Sequence, residues 1–314
     1  MQNVFSYWKN GANFRDTDYQ KLLSYTQTPI QEIHDGRLAK AGIRLLIKRE
    51  DLNHAHISGN KWWKLKYNLE AAIKQGKKIL LTFGGAYSNH IFATAAAAKE
   101  LGFESIGVIR GEETLPLNTT LTFAKDCGLR LHYISREEYR NKHEATFIKN
   151  LQNRFGEFYL IPEGGSNDFA VKGCVEFAQT LNEIDFDYCC LPVGTGGTMA
   201  GIIAGLNQTK EIIGFPVLKG GEFLHGDIEK LLQGFSDVPH QNWKLDTSYH
   251  HGGYAKTTPE LFLFIEKMKD EHNLPLDPIY TGKLLWAVMD YIKQGKFKRG
   301  STILALHTGG LQNH

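Results

Sequence analysis

Cysteine is scarce in this chain. The four present, Cys127, Cys174, Cys189 and Cys190, show no C-x-x-C spacing. That spacing gives no disulfide framework and no thiolate zinc site, and predicts reduced thiols in a cytoplasmic protein. Net charge is equally scarce: 36 Lys and Arg nearly cancel 34 Asp and Glu, leaving +2. Nothing in that balance provides an electrostatic footprint for nucleic acid or a membrane surface. No apolar run approaches the roughly 18 residues of a membrane-spanning helix. The N-terminal stretch MQNVFSYWKNGANF lacks the basic start and apolar segment of a secretory leader. There is no G-x-S-x-G elbow for a hydrolase. The histidines at 54, 56, 250 and 251 lack spacing to acidic or cysteine ligands, so no metal site is expected.

What remains is an ordinary globular composition, 42% hydrophobic and 22% charged, over 314 residues. That is enough for a large core and two lobes. Short apolar strand candidates lie at 78–83, 105–110, 130–134, 158–162, 186–193, 212–217 and 302–307. Helical patterns fall between them, at 60–75, 88–101, 117–128, 136–155, 169–181, 198–207, 259–272 and 282–294. Ser58 stands where it can cap the first of these helices. The alanine-rich segment 88–101 predicts close packing on a sheet. Such alternation predicts an α/β fold of mostly parallel open sheets covered by helices on both faces. Ligands in such folds bind beyond the carboxyl ends of the strands. Four glycine-rich turns follow strand candidates: TFGGAYSNH, PEGGSN, PVGTGGT and LHTGG.

Gly194-Thr195-Gly196-Gly197-Thr198 links a strand to a helix. Successive glycines let backbone N–H groups converge at a helix N-terminus, which makes a cradle for a phosphate. The competing reading is a tight turn with no ligand. No Gly-Lys-Ser/Thr follows, and Met199 occupies the last glycine position of G-x-G-x-x-G. A compact phosphate ester is therefore favoured over a nucleotide. Lys61, in SGNKWWK, opens a helix. A helix N-terminus and desolvation both favour a neutral, nucleophilic amine, but spacing alone does not set Lys61 above Lys64 or Lys66. Ser88 and Asn89 read equally as helix caps or as carboxylate binders, and His90 as a core histidine or a substrate contact.

In this order, KREDLN (48–53), SGNKWWKL (58–65), FGGAYSNH (83–90), IPEGGSN (161–167), PVGTGGTMAG (192–201), DPIYTGK (277–283) and HTGG (307–310) span nearly the whole chain. Together they closely resemble the 1-aminocyclopropane-1-carboxylate deaminase and D-cysteine desulfhydrase family, pyridoxal-phosphate enzymes of the tryptophan-synthase β-subunit fold (fold type II). The resemblance implies a two-domain, three-layer α/β/α chain. A smaller inserted α/β domain would cover 60–166, and the larger cofactor domain 1–59 and 167–314. It implies pyridoxal 5'-phosphate held by Lys61 as a Schiff base. Asn89 would bond the cofactor's phenolic oxygen, Gly194, Thr195, Gly196, Gly197 and Thr198 its phosphate, and Tyr280 its ring. Ser88, Asn89 and His90 would meet the substrate, and Tyr254 would be a second active-site tyrosine. It further implies a small amino-acid substrate and a homodimer. Trp62 and Trp63 depart from the smaller or charged residues usual after the lysine, and the segment 217–254 aligns poorly; both bear on substrate choice.

The residue after Tyr280 is Thr281, where the ring-opening members of that family carry an acid. A hydroxyl there, seconded by Thr308, can hydrogen-bond a neutral pyridine nitrogen but offers no charge to keep it protonated. That favours D-cysteine-type β-elimination over cyclopropane ring opening. Two readings from other classes remain, a non-catalytic cofactor-binding protein and a nucleotide-binding oxidoreductase. An intact Lys61, Ser88, Asn89 and Tyr280 argues against the first, and the failed glycine fingerprint against the second.

Overall fold

The apolar runs of the sequence assemble into two sheets. The structure is a computed structural model and describes residues 25–206, 208–235 and 239–313. The N-terminal stretch, in which no secretory leader was expected, and Asn207, expected to close a helix, lie outside the described residues. Strands are β1 (Ile30–Ile33), β2 (Arg44–Lys48), β3 (Ile79–Gly84), β4 (Glu104–Arg110), β5 (Leu129–Ile134), β6 (Tyr159–Ile161), β7 (Tyr188–Val193), β8 (Glu211–Pro216), β9 (Trp243–Leu245) and β10 (Thr302–Leu306). Helices are α1 (Gly36–Ala41), α2 (Asn60–Lys74), α3 (Asn89–Leu101), α4 (Thr119–Asp126), α5 (Ala145–Phe155), α6 (Asp168–Leu181), α7 (Gly197–Gly205), α8 (Leu224–Leu232), α9 (Pro259–His272) and α10 (Thr281–Lys293).

The 6-stranded sheet has the order β1-β2-β10-β7-β8-β9, and the 4-stranded sheet the order β5-β4-β3-β6. Among the described strands only β1 runs antiparallel, with Ile30 opposite Lys48. Parallel strands buried on both faces read as continuous apolar runs, which is why all seven expected strands form. The strands missed are β1, β2 and β9. β1 and β9 are short edges without a periodic signal, and β2 runs directly into the charged RED segment.

Two helix expectations need correction. Helix 136–155 begins only at Ala145, because a 3-10 turn over Glu138–Asn141 interrupts it. Ser58 does not cap α2: the cap is Gly59, at φ 67 and without a side-chain hydrogen bond. A β-carbon on Gly59 would fall inside the carbonyl oxygen of Thr308, so only glycine lets α2 start against the end of β10. Helices α1 and α8 were not anticipated; both are under three turns long.

Helices α2, α6 and α7 pack together beside the larger sheet. Trp62 and Trp63 are 4% and 1% exposed, and Trp63 stacks on Phe177 with ring centroids 5.3 Å apart. Its indole N–H donates to Glu50 Oε2 at 2.8 Å. Glu50 also accepts from Tyr25 and Asn53, so the KREDLN segment is a buried anchor for α2. The two tryptophans therefore belong to the core, which removes them from substrate choice. Every core residue of α3 from Asn89 to Ala98 is buried, as its alanines predicted. No described helix is long and apolar enough to cross a membrane. All four cysteines are free.

Candidate active site

The turns after β3, β6, β7 and β10 open onto one cavity of about 630 Å³. Lys61, Ser88, Asn89, His90, Gly194, Thr195, Gly196, Gly197, Thr198, Tyr254, Tyr280 and Thr308 all line it. Residues from five separate sequence motifs thus meet where parallel strands end.

Lys61 stands on the first turn of α2, and its Nζ donates to Asn60 Oδ1 at 2.8 Å. The Asn60 amide donates in turn to Thr198 Oγ1 at 2.8 Å, which ties the lysine to the glycine turn. Burial, seconded by the nearby Lys64 ammonium, brings Lys61 from 10.5 down to about 7. A good fraction of Lys61 is thus a free amine at neutral pH. Capture of an aldehyde by the apo-protein should therefore rise through about pH 7 and level off above it. An unshifted lysine would keep gaining rate toward 10.5. Stopped-flow absorbance over pH 6–10 distinguishes the two curves.

The turn at Gly194–Thr198 leads into α7, whose cap Gly196 sits at φ 78 and supplies no side-chain bond. A β-carbon there would lie 2.9 Å from Ile228, and one on Gly197 would lie 2.7 Å from Ser166 Oγ and 3.1 Å from Lys64 Nζ. Lys64 is 2% exposed and donates to Ser166 Oγ at 2.9 Å. Open helix N–H groups, hydroxyls and a buried ammonium converge here, which is the chemistry of a phosphate site. The sequence pattern had set Lys64 beside Lys61 as a rival. The fold separates them by role: one turn of helix carries Lys64 to the cradle side of the cavity wall.

Ser88 caps α3, accepting from the Ile91 N–H at 3.3 Å, which leaves its proton free to donate. Asn89 Oδ1 accepts from Gln312 Nε2 at 2.6 Å, so its amide is held with the oxygen committed to Gln312. Gln312 carried no sequence signal. His90 is 1% exposed, and its Nε2 meets Thr82 Oγ1 at 2.8 Å. Because the Thr82 proton goes to the Ile161 carbonyl, Nε2 is the protonated nitrogen. Nδ1 is then a buried acceptor without a partner among the described residues. Burial, with the Lys64 and Lys61 charges, holds His90 well below the usual histidine range and hence neutral.

Tyr254 and Tyr280 meet edge to face, centroids 6.1 Å apart. Burial raises Tyr254 to about 12 and holds Tyr280 well above the usual tyrosine range, so both remain protonated donors. Thr308, 7% exposed, is on the wall, but Thr281 is not. The expectation that Thr281 faces a ring nitrogen is corrected: its hydroxyl donates to Asp277 Oδ1 at 2.7 Å and accepts from the Asp277 N–H. Its one proton is committed. Sequence reasoning also missed the lining residues Phe223, Leu224, Asp227 and Lys230 of the poorly aligned segment, and Arg110 and Lys142.

Open N–H groups, a desolvated amine and buried hydroxyl donors in one parallel-sheet cleft define a cofactor-dependent enzyme whose cofactor carries a phosphate and an aldehyde. The chain belongs to the pyridoxal-phosphate dependent enzyme family, whose model matches residues 21–309. Pyridoxal phosphate is its cofactor, and the glycine cradle, Lys64 and Lys61 fit that group. A putative 1-aminocyclopropane-1-carboxylate deaminase of Pyrococcus furiosus is 33% identical over 299 residues, covering 91% of this chain and 90% of that protein. A mitochondrial bifunctional D-cysteine desulfhydrase/1-aminocyclopropane-1-carboxylate deaminase of Arabidopsis thaliana is 31% identical, covering 92% of this chain and 77% of the other. The crystal structure of an ACC deaminase homologue superposes with a TM-score of 0.81 at 29% identity, covering 95% and 96% of the two chains. The names of these relatives are those of the two activities that the motif resemblance implied.

Proposed function

We propose that the enzyme converts a small amino acid to ammonia and a 2-oxo acid, with D-cysteine-type β-elimination its main reaction. For D-cysteine the balance is one water consumed and pyruvate, hydrogen sulfide and ammonia released. The observation that carries this reading is the depressed Lys61 amine in the same cavity as two protonated tyrosines. When bound, pyridoxal phosphate supplies the electron sink at the substrate α-carbon.

The chain's own residues supply the rest. Lys61 would hold the cofactor through its amine and, as a neutral base, take the substrate α-proton. The Ser88 hydroxyl and the N-terminus of α3 hold the substrate carboxylate. The Asn89 amide and the Tyr280 ring, both on the cavity wall, would hold the cofactor ring. The Gly194–Thr198 cradle and Lys64 bind the phosphate. Tyr254 or Tyr280 hands a proton to the departing sulfur. Ring opening of 1-aminocyclopropane-1-carboxylate is the alternative, supported by the names of the relatives. Elimination is favoured because the wall offers the Thr308 hydroxyl and no uncommitted carboxylate. Its carboxylates, Glu163 and Asp227, lie 3.3 Å from Lys142 and 3.7 Å from Lys230. The proposal extends to a cytoplasmic homodimer with an inserted smaller domain at 60–166, supported by the separate sheet that β3 to β6 form.

The test is 2-oxo acid release by the holoenzyme from D-cysteine, L-cysteine, D-serine and 1-aminocyclopropane-1-carboxylate. D-Cysteine should be the fastest, by tenfold or more over the cyclopropane substrate, which is about 1.4 kcal/mol of transition-state preference. Rapid 2-oxobutanoate formation with D-cysteine nearly untouched would reverse the preference. Bound cofactor with no turnover of any of the four would support a non-catalytic protein instead.

A further inference from the structure

Lys283 is 1% exposed, on the first turn of α10. Among the described residues its Nζ makes one hydrogen bond, to the Gly253 carbonyl at 2.8 Å. No carboxylate lies within ion-pair distance of it among the described residues. Desolvation pushes its ammonium from 10.5 down to about 8. The Asp277 carboxylate acts on it only from beyond ion-pair distance, so the buried ammonium is costly, and an apolar side chain of equal volume fills the space with no loss of stability. What an apolar chain does not provide is a donor for Gly253.

That carbonyl belongs to an unusual loop. His251, Gly252, Gly253 and Ala255 all have positive φ, at 49°, 92°, 117° and 54°. Two of the four are not glycine, so the loop holds its shape only if something outside it over-determines that shape. The residue it presents to the cavity is Tyr254. The phenol of Tyr254 is hydrogen-bonded to the Tyr280 hydroxyl and donates to the Tyr87 carbonyl over a long 3.3 Å. The Gly253 carbonyl also accepts the Lys256 N–H within the loop at 3.1 Å, so removing Lys283 would not orphan it. Tyr280 caps the same helix that carries Lys283, three residues earlier.

We propose that Lys283 is a positioning residue: its ammonium ties the Gly253 carbonyl to the first turn of α10 and so sets the spacing between Tyr254 and Tyr280. The inference rests on the reading that these tyrosines act on the substrate, and the test separates the two. In Lys283→Met the side-chain volume is kept and the donor is lost. The melting temperature should stay level or rise, and the cofactor absorbance should be unchanged. Amide hydrogen exchange should quicken at 250–256 and nowhere else. With D-cysteine, kcat should fall by about 10- to 100-fold while KM changes less than about threefold, the pattern of a misplaced catalytic group. In a Tyr254→Phe background the same substitution should change kcat less than about threefold, because Lys283 acts through Tyr254. Lys283→Gln, too short to reach Gly253, should behave alike and stands in if the methionine variant does not fold. Unchanged exchange at 250–256, or an equal loss of kcat in both backgrounds, overturns the proposal. If the wild-type enzyme leaves D-cysteine untouched, the reaction reading fails, and the exchange experiment still decides the tether.

Discussion

Lys61→Ala should lose activity by roughly 10³-fold or more, because one side chain both holds the cofactor and moves the proton. Borohydride reduction of the wild-type holoenzyme should fix the cofactor covalently, and peptide mapping should find the label on Lys61. The physical case is local. Lys61 lies at the start of α2, bonded to Asn60 Oδ1 at 2.8 Å and brought to about 7 by burial. Lys64, three residues on, is also pushed down by burial, to about 8, and is therefore the serious competitor. Its Nζ faces Ser166 and the Gly197 end of the cradle, however. Lys64→Ala should thus keep the covalent label on Lys61 and loosen the cofactor, since a charge-assisted phosphate contact is lost. A label on Lys64 in the wild-type protein would exchange the two roles.

Gly196→Val should raise the cofactor dissociation constant by about 100-fold, roughly 3 kcal/mol. Two independent constraints act at this position. The backbone is at φ 78, which a β-branched residue adopts only under strain. A β-carbon would also lie 2.9 Å from the Ile228 side chain, which pins α8 against the turn. Relief of either strain moves the N–H groups that open α7. Circular dichroism and a melting curve establish that the variant folds, and equilibrium dialysis reads the affinity. A folded Gly196→Val protein with wild-type affinity would leave the segment as a mere strand-to-helix turn.

Strand–helix alternation and the ordered glycine turns sufficed for the fold class and for most of the candidate site. Seven parallel strands were legible because buried strands are unbroken apolar runs bounded by glycine. β1 and β9 were not, because an edge strand a few residues long owes its existence to a neighbour. Ser88 and the Gly194–Thr198 turn were found because each lies at a strand end or helix start, and Lys61 and Tyr280 were singled out by the resemblance of their motifs to the family's. Gln312 and Lys283 were not singled out, since a residue that acts by holding another carries no periodicity of its own.

The sequence by itself determined a phosphate cradle and the location of the cleft, because backbone chemistry at glycine turns depends on residues next to one another in the chain, and the ordered motifs, by their family resemblance, supplied the cofactor class. The tertiary structure alone decided which of three nearby lysines is desolvated beside Asn60, and that Trp62 and Trp63 belong to the core. It alone decided that the Thr281 proton is committed to Asp277 and that α8 closes one wall of the cavity. Those outcomes depend on desolvation and on hydrogen-bond partners brought together from distant parts of the chain.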